Sequence, residues 1–453
     1  MKKRILSLMV TACLCMSALA GCGAGASGSS SKADVKSSEK TQLVFWHSMG
    51  GKGGEAINTL VDKFNKENKN NITVTAQYQG EYDDAINKIK SSKDKNTYPD
   101  IMQLYDLGTR WMIDSKLSTP MQKFIDDDKF DNSALEPNLL AYYTVDKKLN
   151  SMPFNSSTPI LYYNKTAFKA AGLDPEKAPA DFDEIKTYSE KLTKKDGNTV
   201  SQYGYSMAIY GWFFEQFLAK QLQPFANNGN GRDSGATSVD FKNNGGGLKI
   251  VKAWKDLYDQ GLLGNFGKKT ADTQQAFIAG KTAMFIDSTA GLSTVLSGVN
   301  GKFEVGTAFL PKINKDDKGG VSIGGASLWI MNKDDEAKQK AAFEFIKFMV
   351  APEQQVYWNE QTGYFPVTTK AYDLPEMKDH LAKTPQFKTA IDQLHASSVE
   401  SKGALLGVFP EARQTIETNI EAVLQGKSTP EEAIDASEKS INSAIEKYNK
   451  ANK

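Results

Sequence analysis

Between Leu43 and Tyr105 the hydrophobic period alternates between that of a strand and that of a helix, and this alternation restricts the fold more than any other stretch. Leu43-Val44-Phe45-Trp46-His47 is a short apolar run of the kind that forms a buried strand. From about Glu55 onward, Ala56, Ile57, Leu60, Val61 and Phe64 fall on one helical face. Ile72, Val74, Ala76 and Tyr78 alternate as a strand, Asp83 to Lys93 reads as helix, and Asp100-Ile101-Met102-Gln103-Leu104-Tyr105 reads as strand again. Strand–helix–strand–helix–strand predicts an α/β fold whose mainly parallel sheet is covered by helices. In such sheets ligands sit beyond the carboxyl ends of the strands.

The body from Gln42 to Lys453 is too long for a single core, so two lobes are expected. The C-terminal quarter is helical. Ala337 to Val350 is one helix and Pro410 to Leu424 another. The last starts with Thr429 as N-cap, Pro430 at the first position and Glu431 and Glu432 in the first turn. Ile434, Ile441, Ile445 and Tyr448 are its expected inward face. Lys and Arg (55) nearly balance Asp and Glu (54) and are interspersed, so there is no basic stripe and nucleic acid is not an expected partner. After Cys22 no apolar run approaches a membrane span, and the mean hydropathy of −0.46 belongs to a water-exposed body.

The N-terminus is different. Lys2, Lys3 and Arg4 precede an apolar run from Ile5 to Ala20, which has signal-peptide length. Leu19-Ala20-Gly21-Cys22 resembles the lipobox of bacterial lipoproteins, which implies a signal peptide over residues 1–21 and acylation of Cys22. Residues 22–41, rich in Gly, Ser, Ala and Lys, read as a flexible tether with a reach of about 25 Å. Cys13 and Cys15 would leave with the signal, so neither a disulfide framework nor a catalytic thiol is expected. His47, His380 and His395 lack metal-ligand spacing, and neither metal nor cofactor is expected.

Gly50, Gly51, Gly53 and Gly54 sit between a strand and a helix but lack P-loop and dinucleotide spacing, so they read as a loop. Carboxylates are scattered, and a surface hydrolase stays open as a reading. Six segments set polar hydrogen-bonding residues beside aromatics, glycines or prolines: Gly80-Glu81-Tyr82, Tyr105 to Thr109, Phe154 to Pro159, Gly324-Gly325-Ala326-Ser327, Thr362-Gly363-Tyr364 and Pro410-Glu411-Ala412-Arg413. Arg413 falls near a helix N-terminus, where a cation is disfavoured unless an anion intervenes. The alternative is a surface ion pair with Glu411 or Glu417.

In this order the segments resemble the periplasmic or lipid-anchored glycerol-3-phosphate-binding proteins of ABC importers. The densest matches are Pro153-Phe154-Asn155-Ser156-Ser157-Thr158-Pro159, Ile323-Gly324-Gly325-Ala326-Ser327-Leu328-Trp329 and Thr362-Gly363-Tyr364. Tyr162-Tyr163-Asn164-Lys165 and Ala171 to Pro175 are shared with many carbohydrate-binding relatives. The resemblance implies a two-lobed, type II periplasmic-binding-protein fold with a hinged interlobe cleft. It also implies that Tyr82, Ser157, Ser288, Gly325, Tyr364 and Arg413 surround the phosphate and glycerol of the ligand. Asp106 stands where the family has Glu, and Ile209 where it has a pocket-wall Trp, leaving Tyr210 or Trp212 to fill that wall.

The resulting expectation is a monomeric binding lipoprotein, held by lipid on the extracytoplasmic face of the cell membrane and working with an ABC permease without catalysis. The expected cargo is glycerol-3-phosphate or a glycerophosphodiester, with a neutral sugar or oligosaccharide as the alternative. Lobe 1 is expected over 42–154 and 290–335, and lobe 2 over 155–289 and 336–453, with crossings near Phe154, Ser288 and Asp334.

Overall fold

The computed structural model describes residues 40–452 except Lys93. The expected signal peptide, Cys22 and all but the end of the tether lie outside the described residues.

Two six-stranded sheets carry the fold. In the first, Ile72–Tyr78, Thr41–His47 and Ile101–Tyr105 run parallel in that order, as the alternating period predicts. Gly324–Met331 then pairs antiparallel with Ile101–Tyr105 and is flanked by Ser118–Thr119 and Met152–Ser157. The helix Gly51–Glu67 buries the predicted face of Ala56, Ile57, Leu60, Val61 and Phe64. It starts earlier than the sequence suggests: Gly51, Gly53 and Gly54 form its first turn rather than a loop. The Gly54 N–H donates to the Gly50 carbonyl at 3.1 Å, and a Cβ on Gly54 would lie 2.7 Å from the Met49 carbonyl oxygen. Glycine lets the chain wind this tightly directly after a strand.

The second sheet orders Leu263–Gly264, Thr199–Ser206, Thr282–Ser288, Pro159–Asn164 and Val305–Phe309, with Lys194–Asp196 on its margin. Helices Gly211–Lys220, Gly246–Asp259, Phe409–Leu424 and Pro430–Ala451 pack together, and Phe213, Phe217, Trp254, Ile416 and Ile441 share their core. Thr429 and Glu432 cap the last of them reciprocally. The first lobe has its own core, with Phe45, Ile57, Phe64, Phe345 and Trp358 in it.

The chain passes between the sheets at Thr158, between Phe309 and Gly324, and again between His395 and Phe409. The crossings expected near Ser288 and Asp334 are therefore displaced. Val305–Phe309 pairs with Pro159–Asn164, which keeps that strand in the second sheet. Helices Glu336–Met349 and Pro352–Thr362 pack in the first core, because Phe345, Ile346 and Trp358 cover the parallel strands. The expected segments 290–335 and 336–453 are thus each divided between the lobes.

Gln393 ties two crossings together. Its Oε1 accepts from the Leu310 N–H at 2.6 Å, and its Nε2 donates to Thr158 Oγ1 at 3.0 Å and to the Pro159 carbonyl at 2.8 Å. Ser397 Oγ, one helical turn on, accepts from Val321 N–H at 3.0 Å. Gln393 is 1% exposed, so no water replaces a lost partner. Gln393→Leu is expected to destabilise the protein by about 1–3 kcal/mol in urea unfolding, since it strands the Leu310 N–H. An unchanged midpoint would mean that these crossings hold without the amide.

Candidate functional site

Strand ends and helix starts from both sheets converge on a cleft of about 780 Å³. Tyr82, Asp106, Ser157, Ser288, Gly325, Tyr364 and Arg413 all line it. Residues separated by hundreds of positions are thus brought to one cavity, and each is aimed by an identifiable local device.

Tyr82 opens the helix Tyr82–Ser91, whose start is fixed by a capping box between Glu81 and Asp84. Gly80 at φ 84 makes room for it, since a Cβ there would meet the Asp84 carboxylate at 2.5 Å. The Tyr82 hydroxyl accepts from Asn155 Nδ2 at 2.8 Å and its ring stacks on Tyr105 at 5.2 Å. Behind it a buried relay runs from the Ser48 N–H to Gln103 Oε1 (2.8 Å), and from Gln103 Nε2 to Asn155 Oδ1 (2.7 Å). Tyr364 follows the left-handed Gly363 that ends Pro352–Thr362, stacks on Trp358 at 5.7 Å, and shares hydrogen bonding with Tyr82 and Asn155. The two phenols are therefore held by protein on one side and reach the cleft with the other.

Ser157 and Ser288 end strands of different sheets. Ser288 Oγ accepts the Ala290 N–H at 3.1 Å, which leaves its own proton to give away. Gly325 has φ 98, and a Cβ there would lie 2.0 Å from the Asn155 carbonyl oxygen. Only glycine lets this strand run so close to its neighbour and present bare backbone to the cleft. On the other side, Trp212 packs against Gly324, where a Cβ would meet the indole at 2.5 Å.

Arg413 is 5% exposed and is the fifth residue of Phe409–Leu424. Neither Glu411 nor Glu417 holds it. Its Nε and Nη2 fork onto the two Glu215 oxygens at 2.8 Å each, and Nη1 donates to the Tyr210 hydroxyl at 3.2 Å. Glu215 gave no signal in sequence because it reaches the site from a different helix, Gly211–Lys220. Gly211 makes the approach possible, since a Cβ there would meet the Arg413 side chain at 2.4 Å. Glu417 instead accepts from the Gly211 N–H at 2.9 Å.

Asp106 begins the turn after Ile101–Tyr105. Its Oδ2 stays 3.7 Å from Arg413 Nη2, beyond hydrogen-bond length. Burial pushes its carboxyl up to about 7, helped by Glu215 and opposed by Arg413. Asp287, unmarked in the sequence, also lines the cleft and is pushed up to about 6 by burial, although Gln274 Nε2 donates to it at 2.7 Å. Ile209 does not reach the cleft. It is 1% exposed within the second lobe's core, and Tyr210 and Trp212 supply the wall instead. Among the described residues no cluster of His, Cys, Asp or Glu has the arrangement of a metal site.

The cleft thus gathers hydroxyl donors, backbone, one buried guanidinium and two weakly acidic carboxyls. The family model for bacterial extracellular solute-binding proteins matches residues 59–389. The sn-glycerol-3-phosphate-binding periplasmic protein UgpB of Pectobacterium atrosepticum is 34% identical over 422 residues, 91% of this chain and 93% of that one. Its counterpart from Yersinia pseudotuberculosis is 33% identical over 91% of this chain and 94% of its own. Among solved structures, UgpB from Mycobacterium tuberculosis in complex with glycerophosphocholine superposes with a TM-score of 0.76 at 21% identity, covering 90% of this chain and 99% of that one. The cyclic alpha-maltosyl-1,6-maltose binding protein from Arthrobacter globiformis gives 0.73 at 22% identity, covering 89% and 99%. Two-lobed architecture, an interlobe cleft and a match over most of its length place this chain in the bacterial extracellular solute-binding protein family.

Proposed function

We propose that this chain captures sn-glycerol-3-phosphate or a glycerophosphodiester outside the membrane and delivers it to an ABC permease. The observation that carries this reading is the convergence of Tyr82, Ser157, Ser288, Gly325, Tyr364 and Arg413, from both lobes, on one cleft. The names of the relatives at 33–34% identity support it. A phosphate ester needs several converging N–H and O–H donors and one cation. Asp106 and Asp287 suit the hydroxyls of the glycerol part. In this reading no bond is made or broken, the protein works as a monomer without a cofactor, and closure around the ligand is what the permease recognises. Acylation of Cys22 holds the receptor near that permease.

A neutral sugar or oligosaccharide is the second reading. The cleft's carboxyls and its aromatic wall of Tyr105, Tyr210 and Trp212 support it.

Titration calorimetry separates the two: heat with glycerol-3-phosphate or glycerophosphocholine and none with maltose is expected. Binding of maltose alone would replace the first reading with the second. Arg413→Ala is expected to weaken the phosphate ligand by at least about 2 kcal/mol. It should also destabilise the fold by about 3–5 kcal/mol, because Glu215 is left buried without its partner. Adding Glu215→Ala should restore most of the stability but not the affinity. Recovery of affinity in the double variant would take Arg413 out of ligand binding. For the anchor, a labelled fatty acid is expected to be incorporated into the wild type and not into Cys22→Ser, and equal labelling of the two would refute acylation at Cys22.

A further inference from the structure

Glu215 changes what kind of anion this cleft can hold. A guanidinium has five N–H donors. Nε and one Nη2 hydrogen of Arg413 go to Glu215, and one Nη1 hydrogen goes to Tyr210. The Asp106 carboxyl at 3.7 Å faces Nη2. Two hydrogens, one on Nη1 and one on Nη2, are left to point at a ligand. Glu215 also cancels the charge. Both members of the pair are nearly sealed from water, with side chains 6% and 10% exposed, so the cancellation is not blurred by solvent.

The other charges facing Arg413 do not restore a positive field. Asp106 approaches from the turn after the third parallel strand and Glu417 lies on Arg413's own helix, both acidic. Tyr105 and Tyr210, from the first sheet and from the start of Gly211–Lys220, are neutral phenols with raised pKa values. Lys268 and Lys269 both line the cleft, but from its exposed side, where solvent and salt screen them, and Lys268 pairs with Glu421 at 3.0 Å.

Resting on the phosphate-ester reading above, we infer that Glu215 makes this a site for a singly charged phosphate ester. By holding Arg413 in a neutral buried pair, it leaves the buried wall of the cleft no net cation to balance a second negative charge. A phosphodiester meets that requirement at every pH near neutrality. A phosphomonoester meets it only as its monoanion, and its second proton leaves near pH 6. Glycerol-3-phosphate is then bound with that proton retained, donated to an acceptor in the cleft. The Asp106 carboxyl, 3.7 Å from Arg413 Nη2, is the nearest carboxylate outside the Glu215 pair and can take that proton's hydrogen bond.

The test compares glycerol-3-phosphate with glycerophosphocholine by calorimetry on the whole protein between pH 5.5 and 7.5. The ratio of their Kd values removes what pH does to both ligands alike and leaves the monoester's own proton together with the acceptor that receives it. That ratio, monoester over diester, is expected to rise roughly 20-fold across the range, the loss of monoanion set by a pKa near 6. A ratio that does not change with pH overturns the inference. Glu215→Gln keeps an oxygen for Arg413 but removes the charge, and should reduce the rise to a few-fold. A rise of wild-type size in that variant would assign the discrimination to another group. Failure of both ligands to bind the wild type is a different result, and overturns the phosphate reading itself together with this inference.

Discussion

The cleft depends on keeping one guanidinium charged and fixed in a place that water scarcely reaches. Burial works against the charge of Arg413, and Glu215 together with Tyr210 and Asp106 outweighs it. An isolated buried cation would be lost at several kcal/mol, and an unsupported side chain of this length would sample many rotamers. The fork onto Glu215 solves both problems, at the expense of two of the five donors and all of the net charge. Tyr210 and Gly211 complete the seat, one by a hydrogen bond and the other by having no side chain. The rest of the cleft, with its phenols, serines and bare backbone, supplies the neutral donors that such a spent cation leaves for a ligand to need.

The first sheet was readable from the chain because its parallel strands lie next to each other in sequence and their helices show one buried face. The same local logic placed the last helix, through the Thr429 and Pro430 start. What pattern reading missed is non-local. Val305–Phe309 carries no mark of which sheet it will join, because its partner lies more than a hundred positions earlier. Glu215 sits in an apolar helical stretch, and only the packing of two distant helices turns it into the partner of Arg413. Asp106 and Arg413 were visible through a family resemblance, but not the burial that leaves Asp106 weakly acidic although Arg413 stands near it. Ile209 misled for a related reason: the alignment of motifs points to a position, while the side chain turns into the core and its neighbours Tyr210 and Trp212 face the ligand space.

The hinge has a similar economy. One amide, Gln393, joins two of the three passages between the lobes, and Ser397 joins the middle passage one turn later. These bonds lie at the crossings, not across the mouth of the cleft. They fix the passages relative to each other while leaving the lobes to be bridged by what the cleft contains. Binding energy can then shift the balance between open and closed forms, by no more than the difference in affinity between them.

The position of Gly324–Met331 in the first sheet has a temporal consequence. It lies between Ile101–Tyr105 and the strands that flank it, yet it is made long after all of them. Until it arrives the sheet has a gap in its middle, and the early strands cannot complete their hydrogen bonding. Closing so long a loop is slow in any chain. Here it means that the N-terminal segment, however strongly patterned, waits for its centre. A chain bound for the far side of a membrane is served by that order, since its first sheet cannot be completed until most of its length has been delivered.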